Sequence, residues 1–268
     1  MVDTPYFSII VPLFNCASSI QDLILSIQAQ TFTDYECILV DDQSTDDTYT
    51  KAKVLAEDFR FRVLKTSHKK TRRDPAVPRN AGLCESRGKY ICFLDADDRW
   101  LSKHLQFLYN ASFNEGKISY LFSSYFRTNG QTTVHRKLIF PFIPVHWHLA
   151  VYNPIPLSSS CIKLSALKYY FPSHPHEDYL FWRLNLANTK LSSIHYIEKP
   201  SMIYSINPMS VSGNKLLSCL WIIQCYSFMG HKKINRILLF VGFCFIQFIY
   251  MFLDKIKRPE KPGISIAI

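Results

Sequence analysis

Tyr90-Ile91-Cys92-Phe93-Leu94-Asp95-Ala96-Asp97-Asp98 is the stretch on which the reading of this chain turns. Five apolar residues bounded by charge spell a buried strand, so the carboxylates behind it emerge together at the carboxyl end of a sheet. Open α/β sheets bind ligands at that edge. Acidic side chains packed so closely repel one another unless a cation or the donors of a bound molecule compensate them. A divalent metal with a polyphosphate is the natural compensator. A lone D-x-D reads equally well as an acidic strand-to-helix turn, so the flanking sequence has to decide.

Upstream, short apolar strands alternate with amphipathic helices, the pattern of βαβ units around a largely parallel sheet. Phe7 to Leu13 is the first strand. Ser18 or Ser19 caps a helix whose Ile20, Leu23, Ile24 and Ile27 follow helical spacing, and Tyr35 to Val40 returns as a strand ending at Asp41-Asp42. Ser44 or Thr45 then caps a second helix with Ala52, Leu55, Ala56 and Phe59 inward, followed by a strand from Phe61 to Lys65. Thr66 to Pro78 lacks apolar periodicity and holds His68, Lys69, Lys70, Arg72 and Arg73, a basic loop. Pro78 to Cys84 is a short helix carrying Arg79-Asn80, and Gly88 precedes the decisive strand.

Downstream, Asn129-Gly130 predicts a hairpin within Ser119 to Ile139, with positive φ at both central residues. Trp147 fills a core or lines a cleft, and the flanking His146 and His148 are spaced poorly for a shared metal. His176-Glu177-Asp178 opens a helix running to Leu186. Acidic residues in a first turn complement the helix dipole. A carboxylate held at a helix start is also what deprotonating a hydroxyl requires.

Taken in order, Ser8-Ile9-Ile10-Val11-Pro12-Leu13-Phe14-Asn15, Gln30-Thr31-Phe32, Val40-Asp41-Asp42-Gln43-Ser44-Thr45-Asp46, Arg79-Asn80-Ala81-Gly82 and Phe93-Leu94-Asp95-Ala96-Asp97-Asp98 resemble the family 2 glycosyltransferases. The similarity is strong over residues 6 to 110 and extends more weakly through Glu177-Asp178 to about Ser212. It implies an α/β fold of GT-A type: a Rossmann-like, mostly parallel sheet flanked by helices. It also implies a nucleotide-diphosphate sugar donor, a divalent cation (Mg2+ or Mn2+) and inversion at the anomeric carbon. By position, Pro12 and Phe14 resemble the residues bordering the nucleobase, and Asp42 the carboxylate at its edge. Arg79 resembles a residue near the donor phosphates. Asp95 looks like the first carboxylate of the family's D-x-D and Asp97 like the metal ligand, Asp178 like the catalytic base, and Glu177 like its supporting neighbour. One departure stands out: Asn207 occupies the place of the family's histidine in a Tyr-Arg-x-His-x-x-Ser-x-Ser stretch, so no imidazolium is available there.

The formal net charge of +10 favours an anionic partner, and 48% hydrophobic residues suffice for a substantial core. Eight cysteines without a C-x-x-C pair suggest neither a zinc site nor a disulfide framework, and the amino terminus lacks a secretory pattern. Ile237 to Leu253 is an apolar run of roughly 17 residues, about 25 Å as a helix, with basic residues on both sides. It reads as a helix in the membrane interface, a short span, or a buried helix packed on Leu216 to Phe228. The expected organisation is a nucleotide-sugar-binding half over 1–118, an acceptor and catalytic-base half over 119–215, and a membrane-associating helical extension over 216–268. The resemblance implies a UDP-sugar donor and a lipid-linked saccharide acceptor in surface polysaccharide synthesis, with the enzyme at the cytoplasmic face of the membrane. A phosphatase of the haloacid dehalogenase type needs a threonine or valine after its D-x-D, and Asp98-Arg99-Trp100 follows here. A non-catalytic sugar-nucleotide-binding subunit is the alternative. Nucleic-acid binding is disfavoured because the basic residues are not interleaved with aromatics along one surface.

Overall fold

The computed structural model describes residues 4–67, 74–115, 117–138, 144–206 and 215–256. The eleven strands described are β1 (Phe7–Leu13), β2 (Tyr35–Asp41), β3 (Phe61–Lys65), β4 (Tyr90–Phe93), β5 (Arg99–Trp100), β6 (Tyr120–Ser123), β7 (Tyr125–Thr128), β8 (Thr133–Arg136), β9 (Ser160–Lys163), β10 (Ile194–Ile197) and β11 (Met202–Ser205). Seven form the main sheet in the order β10-β6-β9-β4-β1-β2-β3. β1, β2, β3 and β4 run parallel, as do β6 and β10, and β9 is antiparallel to both its neighbours. The strands from both expected halves thus share one sheet. The second sheet, β5-β11-β7-β8, stands beside it.

Alternation along β1 explains the layering. Phe7, Ile9, Val11 and Leu13 point into one core, with Ile20, Leu23, Ile24 and Ile27 of α1 (Ile20–Gln28), Ala52 of α2 (Thr48–Leu55) and Leu105 and Leu108 of α4 (His104–Glu115). Ile10 points the other way, into a core shared with α3 (Ala76–Glu85), α5 (Val145–Val151), α6 (Glu177–Leu186) and α7 (Lys215–Phe228). With both faces covered, β2 buries all seven of its residues, which is why these strands read as apolar runs. Glu36 is tolerated inside β2 because Ser8 Oγ, at 2.6 Å, and the Arg87 backbone N–H, at 2.7 Å, donate to it.

Several expectations change. Phe59 is 94% exposed and follows the end of α2, so it forms no part of an inner face. Neither Ser44 nor Thr45 caps α2, whose N-cap is Asp47; Ser44 Oγ instead accepts from the Asn15 backbone N–H. The hairpin exists as β7 and β8, but its loop has four residues, and only Gly130 has positive φ. Asn129 Oδ1 accepts from the Gln131 and Thr132 backbone N–H groups, an arrangement that a longer loop uses in place of a two-residue turn. Trp147 is 66% exposed and fills no core. The cysteines described are free. The basic loop residues His68 to Arg73, together with Asn207, Ser210, Ser212 and the basic residues beyond 256, lie outside the described residues.

The last helix, α8 (Lys233–Ile256), packs Leu239, Phe240 and Phe243 against the second core. Ile234, Ile237, Leu238, Val241, Phe245, Phe248 and Phe252 recur at helical spacing on its exposed side. Among the described residues no helix is long and apolar enough to cross a membrane.

Candidate active site

The carboxyl ends of β1, β2 and β4 meet at one edge because the strands are parallel and in register, Leu13 beside Asp41 and Ile10 beside Phe93. Two residues there adopt the left-handed region without being glycine, Asn15 (φ 46°) and Gln43 (φ 58°). The loops they shape are tied together, since Asn15 Oδ1 accepts from the Thr45 backbone N–H at 2.8 Å. Pro12 and Phe14 lie half-buried at this rim. Asp42 is buried beside them, and Thr66 Oγ1 donates to its Oδ1 at 2.9 Å.

Past β4 the acidic turn is built in layers. The Asp95 backbone N–H donates to Ser158 Oγ at 3.0 Å, and Trp100 Nε1 donates to Ser158 O at 2.7 Å. Ala96 O accepts from Ser19 Oγ (3.2 Å) and Arg99 Nη1 (3.3 Å), which fixes the turn from the α1 side. Asp98 is buried and accepts from the Ser205 backbone N–H at 3.1 Å. Burial, reinforced by the charges of Asp95 and Asp97, holds its carboxyl well above the usual carboxylate range. Asp97, between these two, is exposed.

Arg79 joins this turn to α6. Its Nη2 donates to Asp95 Oδ1 at 2.6 Å, and its Nη1 donates to Glu177 Oε1. Burial alone would lower the guanidinium's pKa, but Asp95 and Glu177 overcome that and raise it above its ordinary value. Burial also pushes Glu177 up to about 7, against the pull of Arg79 and with the help of Asp178. The remaining residues of this motif serve packing. Asn80 exchanges hydrogen bonds with the Phe171 backbone at 2.8 and 2.9 Å. A Cβ on Gly82 would lie 2.5 Å from Ile10 Cγ2, so only glycine lets α3 approach β1 this closely.

Asp178 follows Glu177 in the first turn of α6, half-buried, and Asn153 Nδ2 donates to its Oδ2 at 2.8 Å. The chain Asp95–Arg79–Glu177 therefore brings the D-x-D turn and the start of α6 to one site. Sequence reasoning missed Ser158 and Asn153. Both lie on connecting segments without periodicity, and the turn signal Asn153-Pro154 indicates a bend and no chemistry.

Among the described residues no group of three histidine, cysteine or acidic side chains is poised to hold a metal. Asp95 and Asp97 nevertheless suit a hard cation of the Mg2+ type. Such an ion takes one or two protein carboxylates and draws its other ligands from substrate phosphates and water. Asp95 keeps 32% of its side chain exposed, and Asp97 is exposed.

A profile described as Glycosyl transferase family 2 matches residues 8–167. An uncharacterized glycosyltransferase of Haemophilus influenzae is 30% identical over 231 residues, 84% of this chain and 89% of that protein. The UDP-Glc:alpha-D-GlcNAc-diphosphoundecaprenol beta-1,3-glucosyltransferase of Escherichia coli is 29% identical over 80% of this chain and 82% of its own length. In fold, the chain is similar to glucosyl-3-phosphoglycerate synthase of Mycobacterium tuberculosis, solved with Mn2+ and UDP-glucose. The TM-score is 0.60 at 19% identity, over 85% of this chain and 80% of that one.

Proposed function

This chain belongs to glycosyl transferase family 2, and from that premise we propose that it transfers a hexose, with inversion, from a UDP-sugar to a hydroxyl of a lipid-linked saccharide. The E. coli relative's name supplies the donor and acceptor classes. The observation that carries the reading is the Asp95–Arg79–Glu177 connection, which joins an acidic turn suited to a cation-bound diphosphate to the helix start that carries a half-buried carboxylate suited to act as a base. Pro12, Phe14 and Asp42 would border the nucleobase, and Arg79 would order the acids around the donor phosphates. Asp178 takes the proton of the acceptor hydroxyl. The freed oxygen bonds to the anomeric carbon from the face opposite the leaving group, and UDP departs with the electrons of the broken C–O bond. Asp97 and Asp95 would hold the divalent cation, Mg2+ or Mn2+, which when bound neutralises charge on the departing diphosphate.

Residues 1–118 carry the donor half of this scheme and 119–215 the acceptor and base half. The extension over 216–268 lies on the cytoplasmic face of the membrane. What supports this last assignment is the exposed apolar stripe of α8, with Lys232, Lys233 and Arg236 at its amino-terminal end suited to anionic headgroups.

The test is transfer of label from UDP-[14C]glucose to GlcNAc-diphosphoundecaprenol, with and without chelator. Asp178→Asn should lower turnover by at least about 100-fold. Undiminished transfer by that variant would overturn the base, and transfer surviving complete metal removal would overturn the roles given to Asp97 and Asp95.

A further inference from the structure

Asn153 stands where α5 ends, ahead of Pro154, and both ends of its amide are engaged. Oδ1 accepts from the Ile155 backbone N–H at 3.1 Å, so Nδ2 is the end that faces Asp178 Oδ2 at 2.8 Å. Flipping the amide would set its carbonyl against a carboxylate and its NH2 against an N–H, so the surroundings fix one orientation. The segment carrying it is anchored twice. Tyr179 OH, on the same helix as Asp178, donates to Leu149 O at 2.8 Å. From α7, Tyr226 OH donates to Val151 O at 2.5 Å. Gly242 of α8 lies against Val151 as well, where an added Cβ would come within 3.3 Å of Val151 Cγ1.

We propose that Asn153 is a positioning residue for the base: it holds one oxygen of Asp178 so that the other is aimed at the acceptor hydroxyl, and its own aim is set by the α5–α7–α8 packing. The proposal rests on the reading of Asp178 as the base. A hydrogen bond to a carboxylate from a donor that is itself fixed limits rotation of the acid, and misplacement of a reacting group by about 1 Å costs on the order of 100-fold. The charge of Asp178 is in turn felt by Arg79 from α3, by the Cys225 thiol from α7 and by Glu177 on its own helix, each of whose pKa values it helps to raise.

The discriminating variant is Asn153→Asp, which keeps shape and the acceptor for Ile155 but replaces the donor with a second acceptor. With UDP-glucose as probe, read by transfer or by hydrolysis, kcat should fall about 10- to 100-fold while KM for the donor stays within about twofold. In the wild-type chain, the side-chain NH2 protons of Asn153 should be shifted downfield and slowed in exchange by the bond to Asp178, and in Asp178→Ala both signatures should vanish. This second readout needs no substrate. Wild-type kcat in Asn153→Asp, a parallel loss of kcat, donor affinity and melting temperature, or Asn153 side-chain NH2 protons unaltered in Asp178→Ala would each overturn the proposal. Full activity of Asp178→Asn would instead overturn the base assignment beneath it.

Discussion

α1 and α8 are both amphipathic helices with isoleucine, leucine or phenylalanine at helical spacing, yet their apolar faces meet opposite fates. Ile20, Leu23, Ile24 and Ile27 of α1 vanish into the sheet, whereas Val241, Phe245, Phe248 and Phe252 of α8 stay exposed. Periodicity thus says that a helix has an apolar side but does not say what covers it. For α1 the cover is the odd-numbered face of β1, supplied by this chain itself. For α8 this chain supplies none for the stripe from Val241 to Phe252, and the cover we propose is a membrane surface.

The contrast is most sharply broken from the α1 side. Leu23→Asp would bury an unpaired carboxylate against the sheet and should cost about 3–5 kcal/mol, read as the urea midpoint at neutral pH. A loss below about 1 kcal/mol would mean that this face is not the core it is described as.

A smaller effect concerns the same layer at α4. His104 is fully buried, stacks on Trp100 at 4.3 Å and has its pKa lowered by burial from 6.5 to about 3. Between those values the unfolded chain binds a proton that the folded one refuses, so stability is intact above pH 6.5 and is lost as pH falls toward 3. The loss should run at roughly 1 kcal/mol per pH unit from this group, and His104→Phe, which keeps the stack, should flatten that part of the curve. An unchanged slope in the variant would remove His104 as its source.

The smallest stability effect, and the most telling, belongs to α8. Phe245→Ser with Phe248→Ser should leave the melting transition within about 0.5 kcal/mol of wild type, since both side chains are already in water. Co-sedimentation with vesicles of anionic phospholipid should fall at least 10-fold, because each phenylalanine contributes about 1.5–3 kcal/mol on burial. Undiminished vesicle binding would make α8 a face for some other partner, and the comparison with α1 would lose its meaning.

The first half of the fold was legible because β1, β2 and β4 are buried on both faces and the acidic turn comes directly after β4. Arg79, Asp95, Glu177 and Asp178 were named from the motifs they stand in. What joins them was not, since nothing in local sequence says that Arg79 reaches both Asp95 and Glu177, or that Ser158 and Asn153 come back to support the two acids. Those contacts span long stretches of chain and exist only once β9 has entered the sheet. Phe59 was misread for the complementary reason: a large apolar side chain on a connecting segment carries no period to show which way it faces, and α5 is too short to set a period that would show Trp147 staying out of the core.

β9 lies between β4 and β6, although the chain makes β4 through β8 first. Until residues 160–163 emerge from the ribosome, the nascent β4 has one edge open, and β6 has no route into the sheet. The amino-terminal βαβ units can assemble early, but closure waits for a late, non-local pairing, the kind that slows folding and leaves intermediates prone to aggregate. In synthesis of this protein, the vulnerable interval lies between translation of β4 and arrival of β9.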